Sequence, residues 1–145
     1  VRGAELGFAG NLTNQWRVFG GYSYLDAITT DAGPANPTAS GLPMVMVPKH
    51  NFVLWTYYDV LPKLSIGGGA TFSSLTYASV TATTRKWTPG YARFDAVATY
   101  RLDKTMDLQL NLQNIFDKKY YSSAYPIYAT WAPGRSAVLT LNVHM

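Results

Sequence analysis

About seven stretches of this chain alternate apolar and polar residues with a period of two, and the connections between them switch regularly between very short and very long. The cleanest is Asp107 to Phe116, where Leu108, Leu110 and Leu112 alternate with Asp107, Gln109, Asn111 and Gln113. Ser136 to Met145 sets Ala137, Leu139, Leu141, Val143 and Met145 against Ser136, Thr140, Asn142 and His144. Tyr91 to Leu102 places Phe94, Ala96, Ala98 and Tyr100 opposite Arg93, Asp95, Thr99 and Arg101. Gly3 to Asn11, Trp16 to Asp26, His50 to Val60 and Leu64 to Ser74 follow the same rule, with His50 to Val60 the least cleanly divided. Successive side chains of a strand point to opposite faces, so the pattern predicts half-apolar strands and no helix. Leu12 to Gln15, Leu61-Pro62-Lys63 and Asp103-Lys104 read as tight turns. Ile28 to Val47, Tyr77 to Gly90 and Asp117 to Gly134, rich in turn formers and polar residues, read as long loops.

Strand length and connection pattern together indicate the solvent. The runs hold about 10–12 residues, close to the 9–11 that a tilted strand needs to cross a bilayer and longer than the usual 5–6 of soluble strands. Short turns at one end and long loops at the other are the habit of outer-membrane barrels. One face carries Arg, Asp, Gln and Asn, which a wet lumen accepts and a dry sandwich core does not. Aromatics gather near strand ends (Trp16, Tyr22, Tyr24, Tyr58, Tyr91, Tyr100, Phe116), where interfacial girdles sit. The expected fold is all-β: about seven antiparallel strands forming the C-terminal portion of a transmembrane β-barrel, with a soluble sandwich as the alternative. In that reading Leu108, Leu110, Leu112, Leu139, Leu141 and Val143 face lipid.

Composition narrows the function. Charged residues make up 14% of the chain, aromatics another 14%, and the formal net charge is +4 with no basic block, so nucleic acid is not an expected partner. Cysteine is absent, which removes disulfides, a thiolate nucleophile and Cys-based metal sites. Ser, His and Asp fall in no nucleophile–base arrangement, and His50 and His144 are far apart, so neither catalysis nor a metal site is expected. No basic stretch followed by an apolar one opens the chain, and the start at Val1-Arg2-Gly3-Ala4 reads as a cut inside a longer protein. Gly67-Gly68-Gly69 lies mid-strand with no helix after it and reads as permitting local bending, not as a phosphate loop.

Several segments carry a family resemblance. Leu110-Asn111-Leu112-Gln113-Asn114-Ile115-Phe116-Asp117-Lys118-Lys119-Tyr120-Tyr121, followed by Pro133-Gly134-Arg135-Ser136 and a terminal alternating strand, resembles the C-terminal end of TonB-dependent outer-membrane receptors. Gly3 to Gly10, Gly20 to Asp26, Pro48-Lys49-His50, Leu54-Trp55-Thr56 and Tyr91 with Phe94-Asp95-Ala96 are similar to the preceding hairpins of the siderophore branch. The resemblance covers essentially the whole chain. Met145 stands where family members usually end in an aromatic residue.

The resemblance implies that residues 1–145 are the C-terminal part of a barrel of about 22 strands, with the plug domain and the N-terminal barrel strands outside this chain. It implies a cell outer-membrane receptor of a Gram-negative bacterium that imports ferric siderophores, those of the catecholate branch in particular, with energy from TonB. The alternatives are a passive porin, or a receptor of this type for haem, cobalamin or another ligand. It further implies no enzyme activity and no resident cofactor, iron arriving as a siderophore chelate. The implied partners are the ferric siderophore, the TonB complex through the region preceding this chain, the lipid bilayer and lipopolysaccharide. The family motif falls on Asn114, Phe116, Asp117, Lys118, Tyr120, Pro133, Gly134 and Arg135, with interfacial anchoring of strand and loop as its non-ligand role. Ligand contacts are expected in the long loops, at Arg85, Lys86 and Trp87 and at Tyr125, Tyr128 and Trp131, because cations beside aromatic rings suit a bulky anionic chelate. Lys118 and Lys119 add to that positive charge, with a solvated loop or lipopolysaccharide contact as the plainer use of the cations.

Overall fold

Each alternating run becomes a strand because a period of two puts all its apolar residues on one side of an extended backbone, where neighbouring runs can match them. The structure, a computed structural model, describes residues 1–35 and 37–144. Its strands are β1 (Arg2–Asn11), β2 (Trp16–Asp26), β3 (His50–Leu61), β4 (Leu64–Ser73), β5 (Thr76–Val80), β6 (Arg85–Thr88), β7 (Tyr91–Arg101), β8 (Met106–Gln113), β9 (Tyr121–Ala124), β10 (Ala129–Trp131) and β11 (Ser136–Val143). Seven of them form one sheet in the order β1-β2-β3-β4-β7-β8-β11, with every neighbouring pair antiparallel. Met145, read as continuing the parity of the last strand, lies outside the described residues.

The register makes the expected faces continuous across the sheet. Leu6 pairs Tyr22, Tyr22 pairs Phe52, and Phe52 pairs Phe72. Ala98 pairs Leu110 and Leu110 pairs Leu139, so Leu108, Leu110, Leu112, Leu139, Leu141 and Val143 share this apolar face as expected. The face is not packed under a second layer: Leu139, Leu141 and Val143 stay exposed, and among the described residues no large side chain is fully buried. A soluble sandwich would bury this face, so that alternative fails. The opposite, polar face carries Arg17, Asp59, Arg93, Asp95, Asp107, Gln109 and Asn111.

One part of the polar face is aromatic, which is why the His50 to Val60 run divides poorly in sequence. Phe19, Trp55 and Tyr57 stack there, with centroids 6.1 and 6.0 Å apart, and Arg17 lies 5.8 Å over the Tyr57 ring. The glycine triplet explains how they fit. Gly69 pairs Trp55 and Gly67 pairs Tyr57; a Cβ on Gly69 would run into the Trp55 indole, and one on Gly67 would come within 2.8 Å of the Tyr57 ring. Beyond any bending of the sheet, these glycines are floors on which flat rings lie.

Two expected loops contain structure of their own. The hairpin β5–β6 fills Tyr77 to Gly90 and starts one residue earlier, at Thr76, and Asp117 to Gly134 holds the hairpin β9–β10. Neither joins the seven-stranded sheet. Their strands have 5, 4, 4 and 3 residues, too short to show a period of two in sequence. The buried residues Ala27, Ala78, Thr88, Asp95, Asn114, Tyr120 and Ala124 all lie at this long-loop end, while Val97 is buried in the sheet. The protein's packed interior is therefore where the long connections meet.

Candidate functional site

The long-loop end is assembled in three steps. The first connection folds back on itself through Thr29 N–H to Leu42 O (3.0 Å) and Met44 N–H to Ala27 O (2.9 Å). It then reaches β5, where Met46 N–H donates to Tyr77 O at 2.8 Å. Met46 takes a positive φ of 59° to do so, a conformation that side-chain-bearing residues adopt only under constraint. Lys86 of β6 donates from Nζ to Pro126 O at 2.9 Å, tying the first hairpin to the tip of the second. Three segments distant in sequence thus share one set of contacts.

The second step is the base of the last connection. Asn114, 2% exposed with φ of 51°, immediately follows β8. Its Oδ1 accepts from Lys118 N–H at 2.8 Å, and its Nδ2 donates to Lys118 O (3.0 Å) and Pro133 O (3.3 Å). Asn suits the position because its amide both accepts and donates and tolerates the left-handed conformation. Asp117 follows with a φ of 51° and accepts from Arg135 N–H at 2.9 Å, while Lys119 pairs with it at 3.4 Å. That backbone N–H first, and the Lys119 ammonium next, hold the Asp117 carboxyl below the usual carboxylate range. Gly134 is required beneath it: an added Cβ would sit 2.7 Å from Asp117 Oδ1. Phe116 turns the other way, 72% exposed and edge-on to Phe94 at 5.4 Å on the apolar face.

The third step fastens this base to the sheet. Asp95, almost fully buried, takes Arg93 at 2.8 Å and accepts from Asn114 N–H at 2.8 Å. Arg93 also donates to the Tyr120 hydroxyl at 3.2 Å, and the Tyr120 ring stacks on Tyr91 at 4.0 Å. The motif residues Asn114, Asp117, Tyr120, Pro133 and Gly134 therefore build the loop base, to which Lys118 and Arg135 contribute backbone groups.

Under the two hairpins lies a recess of about 180 Å³. It is lined by the hydroxyl-bearing Ser73, Thr76, Tyr77, Thr88, Tyr91, Tyr121, Ser122 and Ser123, together with Met46, Pro48 and Ala124. Ser73 and Tyr91 pair with each other on the polar face, so the recess opens on that side of the sheet. None of Arg85, Lys86, Trp87, Tyr125, Tyr128 and Trp131 is among the lining residues; all six lie on the hairpins above it. Trp131 stacks on Tyr121 at 4.1 Å and Tyr125 on Tyr128 at 4.8 Å, so three of these aromatics already have ring partners. Sequence reasoning noted Tyr77 and Tyr121 as loop residues but not the recess, because its walls come from four separate segments. Its one local signal is the run Tyr121-Ser122-Ser123.

Elsewhere, His50 Nδ1 lies 2.8 Å from the Tyr22 hydroxyl and His144 Nε2 lies 2.7 Å from Asp107. Among the described residues no three His, Asp or Glu side chains come together as metal ligands would. Ser73, Ser122 and the Thr76–Thr88 pair spend their hydroxyl bonds within the protein, so the tyrosines Tyr77, Tyr91 and Tyr121 and Ser123 are the lining groups left to meet a ligand by hydrogen bonding and stacking.

Comparison with known proteins supplies the family context. The family described as TonB dependent receptor-like, beta-barrel matches residues 1–115. The chain is 44% identical to the probable TonB-dependent siderophore receptor PiuA of Acinetobacter baumannii, over 98% of this chain and 20% of that protein. It is 37% identical to the catecholate siderophore receptor Fiu of Escherichia coli K12, over 99% of this chain and 19% of that protein. The crystal structure of PiuA superposes with a TM-score of 0.86 at 43% identity, over 97% of this chain and 21% of that one. The open form of Fiu does so with a TM-score of 0.78 at 29% identity, over 99% of this chain and 20% of that one. The chain thus spans about a fifth of the length of the curated relatives it matches.

Proposed function

The chain belongs to the TonB-dependent receptor β-barrel family, and from that premise we propose that it is a wall segment of an outer-membrane receptor that imports a ferric siderophore with energy from TonB. The protein lies in the outer membrane of a Gram-negative bacterium. Its apolar face meets lipid, its polar face lines the lumen, and its long-loop end faces outward. The TonB complex acts through parts of the receptor outside this chain. No bond is made or broken, so the protein is not an enzyme; iron is cargo, already wrapped in its chelator, and no resident cofactor is needed.

The observation that carries the reading is the hydroxyl-lined recess on the polar face under the two hairpins. Tyrosine and serine hydroxyls suit the oxygen-rich periphery of a ferric chelate, and the ring faces of Tyr77, Tyr91 and Tyr121 suit flat aromatic groups. Catecholates combine both features, and one relative is named as a receptor for them. Arg85, Lys86, Trp87, Tyr125, Tyr128 and Trp131 are the contacts on the hairpins above, their cations drawing an anionic complex toward the recess.

The test uses the full-length receptor in cells grown under iron limitation. Uptake of a ferric catecholate should require TonB. It should fall about tenfold or more in Tyr121→Ala with Ser123→Ala, since two lining hydroxyls and a stacking surface are lost together. Uptake that persists without TonB would point to a pore. Growth on haem or cobalamin alone would move the substrate to another class.

A further inference from the structure

Glycine stands in the first connection where the backbone alone has to turn. Gly33 and Gly41 take φ of 73° and 81°, and a Cβ at either would meet nothing within 4 Å. Glycine adopts that region without the clash a Cβ brings, so both positions cost little. Met46, in the same connection, holds φ of 59° with a full side chain. The other non-glycine residues at positive φ, among the described ones, are Asn114 and Asp117. Their side chains hydrogen-bond within the loop base, and both belong to types that tolerate the conformation. Methionine has neither advantage, and a residue kept in such a conformation points to a use for it there.

Packing does not account for the side chain. Met46 is 48% exposed, whereas Ala124, another apolar residue lining the recess, is buried. The bond from Met46 N–H to Tyr77 O needs only a backbone, and glycine would supply it equally well. What distinguishes the side chain is its place: it lines the recess together with Tyr77, Tyr91 and Tyr121. A thioether makes favourable contacts with aromatic rings, and the unbranched methionine side chain adjusts to the ring it meets.

Resting on the receptor reading above, we propose that Met46 is a specificity-determining residue of the recess, its thioether lying against an aromatic ring of the bound chelate. The strained backbone holds the sulfur at the recess, and the tyrosines supply hydroxyls and further ring faces. The residue then favours chelates built from arene rings over those with an aliphatic periphery, which offer the sulfur no ring face.

The experiment titrates the purified full-length receptor with two probes, a ferric tris-catecholate and a ferric trihydroxamate. It compares the wild type with Met46→Gly, Met46→Asn and Met46→Leu. Glycine and asparagine accept the positive φ but bring no apolar side chain, and leucine keeps one. The wild type should bind the catecholate more tightly. The catecholate-over-hydroxamate ratio of affinities should fall about fivefold in Met46→Gly and in Met46→Asn, with Met46→Leu between them and the wild type. The probes also differ in charge, but that difference is the same in every variant, so the change in ratio reads the side chain. Hydrogen exchange at residues 44 and 46 checks that the connection stays docked on Ala27 and Tyr77. If glycine loosens it, Met46→Asn decides. An unchanged ratio in these two variants, or a wild type that binds both probes equally, overturns the proposal and leaves the receptor reading intact. A fall in ratio that comes with lost protection in both variants would make Met46 a structural residue and overturns it too. A wild type that binds neither chelate refutes the receptor reading itself, and the proposal with it.

Discussion

The two ends of the sheet use polar side chains in different ways. At the turn end, Asp103 serves its own turn, accepting from Thr105 N–H (2.7 Å), Thr105 Oγ1 (2.8 Å) and Met106 N–H (2.9 Å). The longer contacts there, Arg17 to Asp59 at 3.1 Å and Asn142 to Asp107 at 2.8 Å, join strands that already pair in the sheet. At the loop end, Met46 to Tyr77 and Lys86 to Pro126 join segments that share no ladder. One end is held by neighbours and the other by strangers. The first is built to close a turn in few residues; the second holds long segments over a recess without extending the sheet.

The largest test of this contrast is Asn114→Ala. It removes three hydrogen bonds from a buried position and places alanine at positive φ, which should cost about 2–4 kcal/mol. Hydrogen exchange on the full-length receptor should show amides 115–135 losing protection together. Asp103→Ala, the matching change at the turn end, should expose only Thr105 and Met106. Equal spread from both variants would erase the distinction.

Next in size is Gly134→Ala. Its Cβ would push on Asp117 Oδ1 and disturb the hydrogen bond from Arg135, at about 1 kcal/mol. Exchange at Arg135 should rise while the hairpin β9–β10 stays protected. An unchanged Arg135 amide would show that the carboxylate does not need the glycine.

Acid sharpens the comparison by mechanism. Asp117 is depressed by the Arg135 N–H and then by Lys119, whereas Asp103 is depressed by the backbone and hydroxyl of Thr105 and the Met106 amide, with Lys63 contributing least. A carboxylate whose folded value is lowered stabilises the fold above its unfolded value, about 4, and that support fades as pH falls through the lower folded value. Both ends should therefore loosen below about pH 4. Added salt should weaken the loop base more than the Asp103 turn, because charge contributes more there. Exchange measured against pH at two ionic strengths checks this, and an identical salt response at both ends would refute it.

The smallest effect belongs to Lys86→Met, which cuts an exposed tie from Nζ to a single carbonyl. Amides 124–128 should exchange faster with no change in thermal unfolding. No local change would mean that the two hairpins hold their positions independently.

The same division decides what could be read in advance. Leu108, Leu110 and Leu112 announce their face because the rule linking them acts between adjacent residues, and the register then aligns Leu110 with Leu139 without further information. The tight turns are legible for the same reason. The hairpins are not: β10 has 3 residues, and its partner is chosen by a loop that the sheet holds in place. The aromatic patch on the polar face is half legible, since Gly67-Gly68-Gly69 is visible but the rings it seats lie on a different strand. Lys86 shows as a cation in sequence, while its partner, a carbonyl 40 residues away, shows in no pattern of side chains. Asn114 and Asp117 were legible as a motif; that they form a clamp depends on Pro133 and Arg135 arriving from the far side of the loop.

Because β5–β6 and β9–β10 stand apart from the seven-stranded sheet, the alignment of the wall does not run through them. Strand β7 finds β4 by its own pairing from Ser73–Tyr91 to Leu64–Tyr100, and β11 finds β8 in the same independent way. The hairpins are thus free to vary as cassettes. A lineage can lengthen, shorten or rewrite them while the wall beneath inherits its register unchanged.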